Sequence, residues 1–337
     1  MWLLSSDRAE LHFFSAPDAA TGGYAILSHT WTDNEQTFQD LVALQERCKV
    51  SGENPRDLVL EKIRQCCLIA REHGYAWVWI DTCCIDKTSS VELSEAINSM
   101  FRWYSCAEIC YAHLDDVPRD GPLDAADSAF RRARWHTRGW TLQELLAPAM
   151  VLFLSSDWTV LGDKHTLAEL LGNITGIPRQ VLTREWHFSV MSVAHRLSWA
   201  SARRTTRIED EAYCLMGLFN VHMPTLYGEG RQAFQRLQFE IMKQSFDTSI
   251  FAWGCWSTIT LEPITIPQIY RSFNTTSKNH VYLLATSPES FAKPFNNKVL
   301  RFSPNATAPL QPYLPWQWKN ASVCFSCSTQ QHYLMVL

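Results

Sequence analysis

The sequence lacks a long hydrophobic run and a strong excess of charge of either sign. No window approaches the ~18 uninterrupted apolar residues of a membrane-spanning helix. Met1–Phe14 carries Asp7, Arg8 and Glu10 where a secretion signal would be apolar. The net charge of -4 at pH 7 gives no general attraction to nucleic acid or to an anionic membrane. We therefore expect a cytoplasmic protein that binds neither nucleic acid nor membrane.

Several signatures of enzymes and metal proteins are also absent. There is no phosphate-binding GxxxxGK[ST] loop and no GxSxG nucleophile elbow. The eleven cysteines are odd in number and lie in apolar runs such as Cys66-Cys67 and Cys83-Cys84, which is typical of free, buried thiols in a reduced compartment. Cys324-x-x-Cys327 with His332 supplies at most half of a zinc site. The pattern therefore predicts no metal site.

What the sequence does contain is enough apolar residues for a packed core, at 46% against 19% charged. Its first half alternates short apolar runs with helical patterns. The strand candidates are Tyr24–Ser28, Tyr75–Asp81, Glu108–Leu114 and Met150–Leu154, and the helix candidates are Asp57–His73, a segment opened by a capping box at Ser89–Glu92, and Thr141–Ala147. This alternation predicts an α/β fold with a parallel sheet flanked by helices.

The second half changes from alternation to helices. Val193–Arg203, Ile208–Phe219 and Arg231–Gln244 all have helical periodicity. From Ser257 onward only short β-like pieces, such as His280–Ala285, stand among proline, asparagine, serine and threonine. We therefore predict an α/β domain at residues 1–155, a C-terminal helical extension at 156–255, and an irregular, partly disordered tail at 256–337.

The predicted strand ends nominate a site. Parallel α/β sheets bind ligands outside the carboxyl ends of their strands, beside the point where the strand order reverses. Those ends are Ser28-His29, Asp81 and the loop that leads to Glu144. Asp81 is notable because an acid that ends an apolar strand needs a partner or an open cleft.

Three segments then carry a resemblance to a known family. YAILSHTW at Tyr24–Trp31, WIDTCCIDK at Trp79–Lys87 and TRGWTLQELLAP at Thr137–Pro148 resemble the signature blocks of the fungal heterokaryon-incompatibility (HET) domain. The stretch Arg203–Gly230 resembles the extension that often accompanies it. Lys87 departs from the pattern, which has glutamine there. The resemblance implies a programmed-cell-death signalling module of vegetative incompatibility, which forms homo-oligomers on activation and takes other incompatibility or NLR-type proteins as partners.

HET domains are in turn remotely similar to TIR domains, which have a flavodoxin-like sheet and of which some cleave NAD with one glutamate. The segment Trp140–Leu145 is similar to the TIR segment that holds this glutamate, which implies that Glu144 is catalytic, that NAD is the substrate and that no cofactor is required. A carboxylate can stabilise the positive charge that develops on the ribose as nicotinamide leaves. The candidate substrate-binding residues are Ser28, His29, Trp31, Asp81, Asp86, Arg138 and Trp140.

Other interpretations of the same residues stay open. Thr141-x-x-Glu144 fits a capping box, so Glu144 could do no more than begin a helix. The arginines at positions 131–138 could bind a pyrophosphate or line a solvated loop. At the level of the whole protein, the alternatives are a self-associating scaffold that recruits a death effector without chemistry, and a nucleotide sensor that binds without cleaving.

Overall fold

The computed structural model describes residues 1–251, 253 and 284–292, together with the backbone of two strands near the C-terminus. Its centre is a sheet of seven strands in the order β2-β1-β4-β3-β5-β6-β7. The strands are β1 (Trp2–Ser5), β2 (Leu11–Phe13), β3 (Ala25–His29), β4 (Trp77–Trp79), β5 (Ile109–His113), β6 (Val151–Leu154) and β7 (Val160–Asp163).

The middle of the sheet is parallel and its edges are antiparallel. β4, β3, β5 and β6 pair in parallel, while β2, β1 and β7 are added in antiparallel orientation. The α/β prediction is confirmed, but the sheet is mixed, since three short edge strands escaped detection. The predicted strand Tyr75–Asp81 is also shorter than expected, because only Trp77–Trp79 pairs with neighbours. The parallel strands lie side by side in the order β4-β3-β5-β6. Counted from one along the chain, this is the order 2-1-3-4 of flavodoxin-like sheets.

Helices of the first half flank the sheet. They are α1 (Phe38–Ser51), α2 (Glu61–Glu72), α3 (Ser90–Cys106), α4 (Ala129–Arg132) and α5 (Thr141–Leu146). Of these, α2 lies against β4 and α5 against β3. Sequence periodicity missed α1, which buries only Leu41, Leu44 and Cys48, although Thr37 and Asp40 form a capping box at its start. The capping box predicted for α3 is half formed. Ser89 accepts from the Glu92 N–H, but the Glu92 carboxylate accepts from the Asp86 N–H instead.

The second half is helical, as predicted. Its helices are α6 (Ala168–Thr175), α7 (Arg179–Leu182), α8 (Val193–Ser198), α9 (Asp210–Tyr213) and α10 (Gln232–Gln244). The segment Ile208–Phe219 is not one helix. It forms α9 and a separate 3-10 turn, which ends where Asn220 takes a left-handed φ of 53°. The strand β7 lies past residue 155 and still pairs with β6, and the domain boundaries themselves stay predictions.

Little of the predicted tail is described. Pro288–Phe291 forms a 3-10 turn with a buried Phe291, and β8 (Ser322–Cys327) pairs with β9 (Gln331–Val336) in antiparallel orientation. Most of the predicted strand His280–Ala285 lies outside the described residues, and so do the side chains of the Cys324-x-x-Cys327 motif. No described helix is long and apolar enough to cross a membrane.

Candidate functional site

The site lies where the central strands end. The chain passes from β3 to β4 on one side, and then to β5 on the other side of β3, so the strand order reverses between β3 and β5. Ligands of open α/β sheets bind outside the carboxyl ends of the strands at such a point. β3 ends here with Ser28 and His29, and His29 is paired with His113 of β5.

On one face of the sheet, Ser28, Tyr104, Trp135 and Glu144 form what we call the buried cluster. The Ser28 hydroxyl donates to Glu144 Oε2 at 2.5 Å, and Trp135 Nε1 donates to Ser28 Oγ at 2.7 Å. An indole N–H can only donate, so Trp135 occupies the Ser28 oxygen and directs the hydroxyl proton toward Glu144. The Tyr104 hydroxyl lies between Glu144 and the Leu27 carbonyl, 3.0 Å from the latter. All four side chains are buried.

Glu144 is a neutral acid in this environment. Burial raises its pKa to about 8, and the negative charge of Asp81 acts in the same direction. Hydrogen bonds from Ser28 and Tyr104 and the charge of Arg138 oppose the shift without cancelling it. Because that pKa lies above neutrality, the carboxyl group keeps its proton at pH 7.

The capping-box interpretation of Glu144 is wrong. The N-cap residue of α5 is Trp140 and not Thr141, and the Trp140 side chain makes no capping hydrogen bond. The Thr141 hydroxyl instead donates to the carbonyls of Trp135 and Arg138, at 2.5 and 2.9 Å. Glu144 therefore points inward to Ser28, and its burial needs another explanation than the start of a helix.

On the opposite face, nearer to solvent, His29, Trp31, Glu35, Lys62 and Asp81 form what we call the rim cluster. Asp81 accepts from Trp31 Nε1 at 2.8 Å and lies 3.1 Å from His29 Nε2. Lys62 Nζ lies 3.1 Å from His29 Nδ1 and also pairs with Glu35. Since an ionised carboxylate only accepts, Nε2 carries the proton that is donated to Asp81. Nδ1 also lies 3.3 Å from the Thr30 carbonyl.

The rim cluster holds an ionised carboxylate. Burial acts to raise the pKa of Asp81, but the hydrogen bond and charge of His29, the charge of Lys87 and the hydrogen bond from Trp31 together lower it. Lys87 Nζ also lies 3.9 Å from the centre of the Trp31 ring. Trp31 is 47% exposed and the Asp81 side chain 20% exposed, so this cluster offers an aromatic ring and a carboxylate to a ligand.

The two clusters meet at β3. Ser28 and His29 are consecutive strand residues, and their side chains therefore point to opposite faces of the sheet. The charge of Asp81 still contributes to the raised pKa of Glu144. The structure thus brings Ser28, His29, Trp31, Asp81 and Glu144 to one edge of the sheet, in two groups.

Asp86 is occupied by local contacts. Its carboxylate accepts from the N–H and hydroxyl of Thr88, at 2.9 and 2.6 Å, and from Gln39 Nε2 at 2.5 Å. This is the turn that leads into α3. Its role in substrate binding stays a prediction.

Arg138 and Trp140 turn toward the helical second half. Arg138 Nη1 lies 3.5 Å from the Thr206 hydroxyl, although its charge still acts on Glu144. Trp140 Nε1 donates to Asp210 Oδ2 at 3.2 Å. Neither side chain joins the hydrogen bonds of the buried or the rim cluster that the structure describes.

Sequence inspection missed five residues beside the predicted ones: Glu35, Lys62, Tyr104, His113 and Trp135. Trp135 stands just before the third signature block, and Lys62 is a charged residue in the first turn of α2, so neither carried a signal. His113 is buried, stacks on Trp158 with ring centres 4.2 Å apart, and has its pKa lowered to about 4, chiefly by burial. It is the neutral neighbour of His29 at the switch point.

Metal ligands and reactive thiols are not evident in this part of the chain. Within the described residues, no group of three or more His, Cys, Asp or Glu side chains could hold a metal ion. Cys83 and Cys84 are free and buried, and burial raises the pKa of Cys83 well above its ordinary value. A thiol of that kind is a poor nucleophile.

Comparisons with known proteins agree with the signature blocks. The family model of heterokaryon incompatibility protein (HET) matches residues 24–129, and that of a domain of unknown function (DUF8212) matches residues 232–321. The chain is 44% identical over 234 residues to vegetative incompatibility protein HET-E-1 of Podospora anserina. That match covers 67% of this chain but only 17% of the relative. No solved structure matches. The chain is therefore a member of the HET-domain family.

Proposed function

We propose that this chain is a signalling module of vegetative incompatibility, whose activation leads to cell death. The HET family match and the 44% identity to HET-E-1 support this role. The matched region spans about a sixth of that relative, so the trigger and the partners are parts of the proposal. We place the module in the cytoplasm and expect it to act as a homo-oligomer, together with other incompatibility or NLR-type proteins.

The chemistry proposed for this module is cleavage of NAD at Glu144. The observation that carries it is that the buried carboxyl group of Glu144, the half-exposed ring of Trp31 and the partly exposed carboxylate of Asp81 lie together at the switch point of the sheet. In the rim cluster, Trp31 can stack on a nucleotide base and Asp81 can accept hydrogen bonds from ribose hydroxyls. Both are exposed enough to meet a ligand first.

The reaction requires little of the protein. The bond between C1′ of the ribose and the nicotinamide nitrogen breaks, and nicotinamide leaves as a neutral base with the bonding electrons. Water then attacks C1′ and passes one proton to the Glu144 carboxylate, so that NAD and water give ADP-ribose, nicotinamide and a proton. The carboxylate stabilises the positive ribose in between.

This mechanism needs Glu144 in a different state from the one described. In the structure its carboxyl group is buried and neutral, and neither property suits the stabilisation of a cation. Activation must therefore admit substrate and ionise Glu144, and homo-oligomerisation is the step to which we assign that change. The described conformation is then the inactive one.

The test is nicotinamide release from NAD by concentrated protein, with Glu144→Gln in parallel. Glutamine reproduces the size and neutrality of the protonated acid, so this variant should fold like the wild type and lose the activity. Glu144→Ala is also neutral but removes the bulk and the hydrogen bonds of the side chain, and it serves as the disruptive comparison. Unchanged release by a folded Glu144→Gln protein would refute the assignment of the catalytic residue.

The burial of Glu144, which is 6% exposed, favours a second candidate function. In that case the buried cluster is a structural element and the module is a scaffold that recruits a death effector without chemistry. Expression of Glu144→Gln in a fungal host separates the two. Full toxicity, with no nicotinamide release from the wild type after forced clustering, would select the scaffold.

A further inference from the structure

The helix that carries Glu144 is held in place from outside. α5 has only six residues and no side-chain cap at its start, and a helix so short has little stability of its own. At its end, the buried ammonium group of Lys164 donates to the carbonyls of Leu145 and Pro148, at 3.1 and 2.6 Å. The position of Glu144 therefore depends on whatever fixes the two ends of α5.

The N-terminal end of α5 is fixed by Arg203, which belongs to the helical second half of the chain. Arg203 is buried, and its Nη1 donates to both the Arg138 carbonyl and the Thr141 hydroxyl at 2.8 Å. Its Nε donates to the Trp199 carbonyl at 3.2 Å. The Thr141 hydroxyl passes the link on to the Trp135 carbonyl. Arg203 is thus connected to the residue that orients Ser28, and to the first turn of the helix that bears Glu144.

The backbone around Arg203 makes the same connection. The Gly139 N–H donates to the Arg204 carbonyl at 2.8 Å, and the Arg204 N–H donates to the Thr137 carbonyl at 2.6 Å. A Cβ atom at Gly139 would collide with Thr205 Cγ2, so any other residue there would force the Thr205 side chain to move. The third signature block is therefore joined to the second half by side-chain and backbone contacts at the same place.

The buried charge of Arg203 is unfavourable for the stability of the fold. Within the described residues, the hydrogen bonds of Arg203 go to two carbonyls and a hydroxyl and to no carboxylate, and its Nη2 has no hydrogen-bond partner. Burial lowers its pKa to about 10, so it still carries its charge at pH 7. A buried charge without a counter-charge normally destabilises a fold, which suggests that this one is kept for the geometry that it imposes.

We propose that Arg203 is a positioning residue, which fixes α5 and holds Glu144 in the buried cluster and so makes the second half of the chain part of the site. The proposal rests on Glu144 as the residue of interest in the proposed function. It predicts that a change in the second half reaches Glu144 through the segment around Arg203. Arg203 itself touches no substrate.

The direct readout is the titration of Glu144, followed by ¹³C NMR of labelled glutamate carboxyl groups and assigned by comparison with Glu144→Gln. In Arg203→Gln we expect α5 to shift and Glu144 to become hydrated, so that its apparent pKa falls by about one unit or more toward the ordinary value. Loss of a neighbouring positive charge alone would raise this pKa. A rise, or no change, would overturn the proposal.

Matched variants separate geometry from charge and from general damage. Arg203→Lys keeps the charge but not the fork of donors, and should behave like Arg203→Gln. Thr141→Val should reproduce the shift and Thr141→Ser should not, which also covers the case in which Arg203→Gln fails to fold. Arg196→Gln removes an arginine that binds the Leu218 carbonyl at 3.0 Å, and should cost stability without moving the titration.

The titration does not depend on enzymatic activity. If the protein releases no nicotinamide, the proposed chemistry fails and the positioning role is still decided by NMR. If it does, Arg203→Lys should raise kcat of the unclustered protein, because Arg203 holds Glu144 in the buried, inactive state and does not touch the substrate. A wild-type titration and kcat in Arg203→Lys would show that charge alone suffices and would reject the positioning role.

Discussion

The buried cluster and the rim cluster start from consecutive residues of β3, yet they hold their carboxyl groups in opposite states. Glu144, which accepts from Ser28, is buried and protonated. Asp81, which accepts from His29, is ionised because His29, Lys87 and Trp31 together lower its pKa. The difference follows from the alternation of side chains along a strand. A site at the end of a parallel sheet can therefore pair a neutral acid with a charged one across a single backbone.

The largest test of this comparison is the pH dependence of stability. The pKa of Glu144 is about 8 in the folded protein against 4.5 in a free side chain. Its contribution is fully present below pH 4.5 and is lost as pH rises through 8, and at ~1.4 kcal/mol per pKa unit the change is on the order of 4–5 kcal/mol. Urea denaturation should therefore show the wild type losing stability relative to Glu144→Gln, which does not titrate, as pH rises across that window.

Subtracting the two curves removes the histidines and lysines that also titrate. If the difference in unfolding free energy between the wild type and Glu144→Gln stays constant from pH 4.5 to 8, Glu144 is ionised in the folded state. The buried cluster would then resemble the rim cluster, and the comparison would be broken.

The next largest effect is expected at Trp135, which is fully buried. Trp135→Ala should cost about 3–5 kcal/mol of unfolding free energy, since it removes a large core side chain and leaves the Ser28 oxygen without its donor. Trp135→Phe keeps the ring and removes the N–H, and should cost much less. Chemical denaturation at pH 7 measures both.

The corresponding change in the rim cluster gives the contrast. Trp31→Ala should cost about 1 kcal/mol or less, because the ring is half exposed. Equal losses for the two tryptophans would mean that the rim cluster is as closely packed as the buried one.

Asp81→Asn is expected to have an intermediate effect, with the opposite pH dependence from Glu144. It weakens the acceptor of His29 and Trp31 and should cost about 1–2 kcal/mol at pH 7. The pKa of Asp81 is lowered on folding from 3.8, so its contribution is present above that value and lost as pH falls through the folded pKa. A stability difference that persists in full at pH 3 would contradict an ionised, paired Asp81.

The sequence indicated which edge of the sheet carries the site, but it did not indicate which side chains contact each other there. Polar residues that follow apolar strands mark carboxyl ends, so Ser28, His29 and Asp81 could be found by inspection. The partners could not, since Trp135 and Ser28 are 107 positions apart and Arg203 and Thr141 are 62 apart. Such contacts depend on how helices settle on the sheet. The short edge strands were missed because a strand of three or four residues has too few positions to show a period.

The smallest effect is expected at Lys87, where this sequence departs from the family pattern. Its ammonium group lies over the Trp31 ring and its charge helps to lower the pKa of Asp81. Lys87→Gln should cost about 0.5 kcal/mol, the value of an exposed cation–π contact, while the pKa of Asp81 rises. Proton NMR of the Trp31 indole and a carboxyl titration of Asp81 report the two changes separately. Because the described contacts of Lys87 are with the Trp31 ring and the Thr82 carbonyl, and none is with the buried cluster, the titration of Glu144 should move far less than that of Asp81. A comparable shift at Glu144 would show that the two clusters respond as one unit.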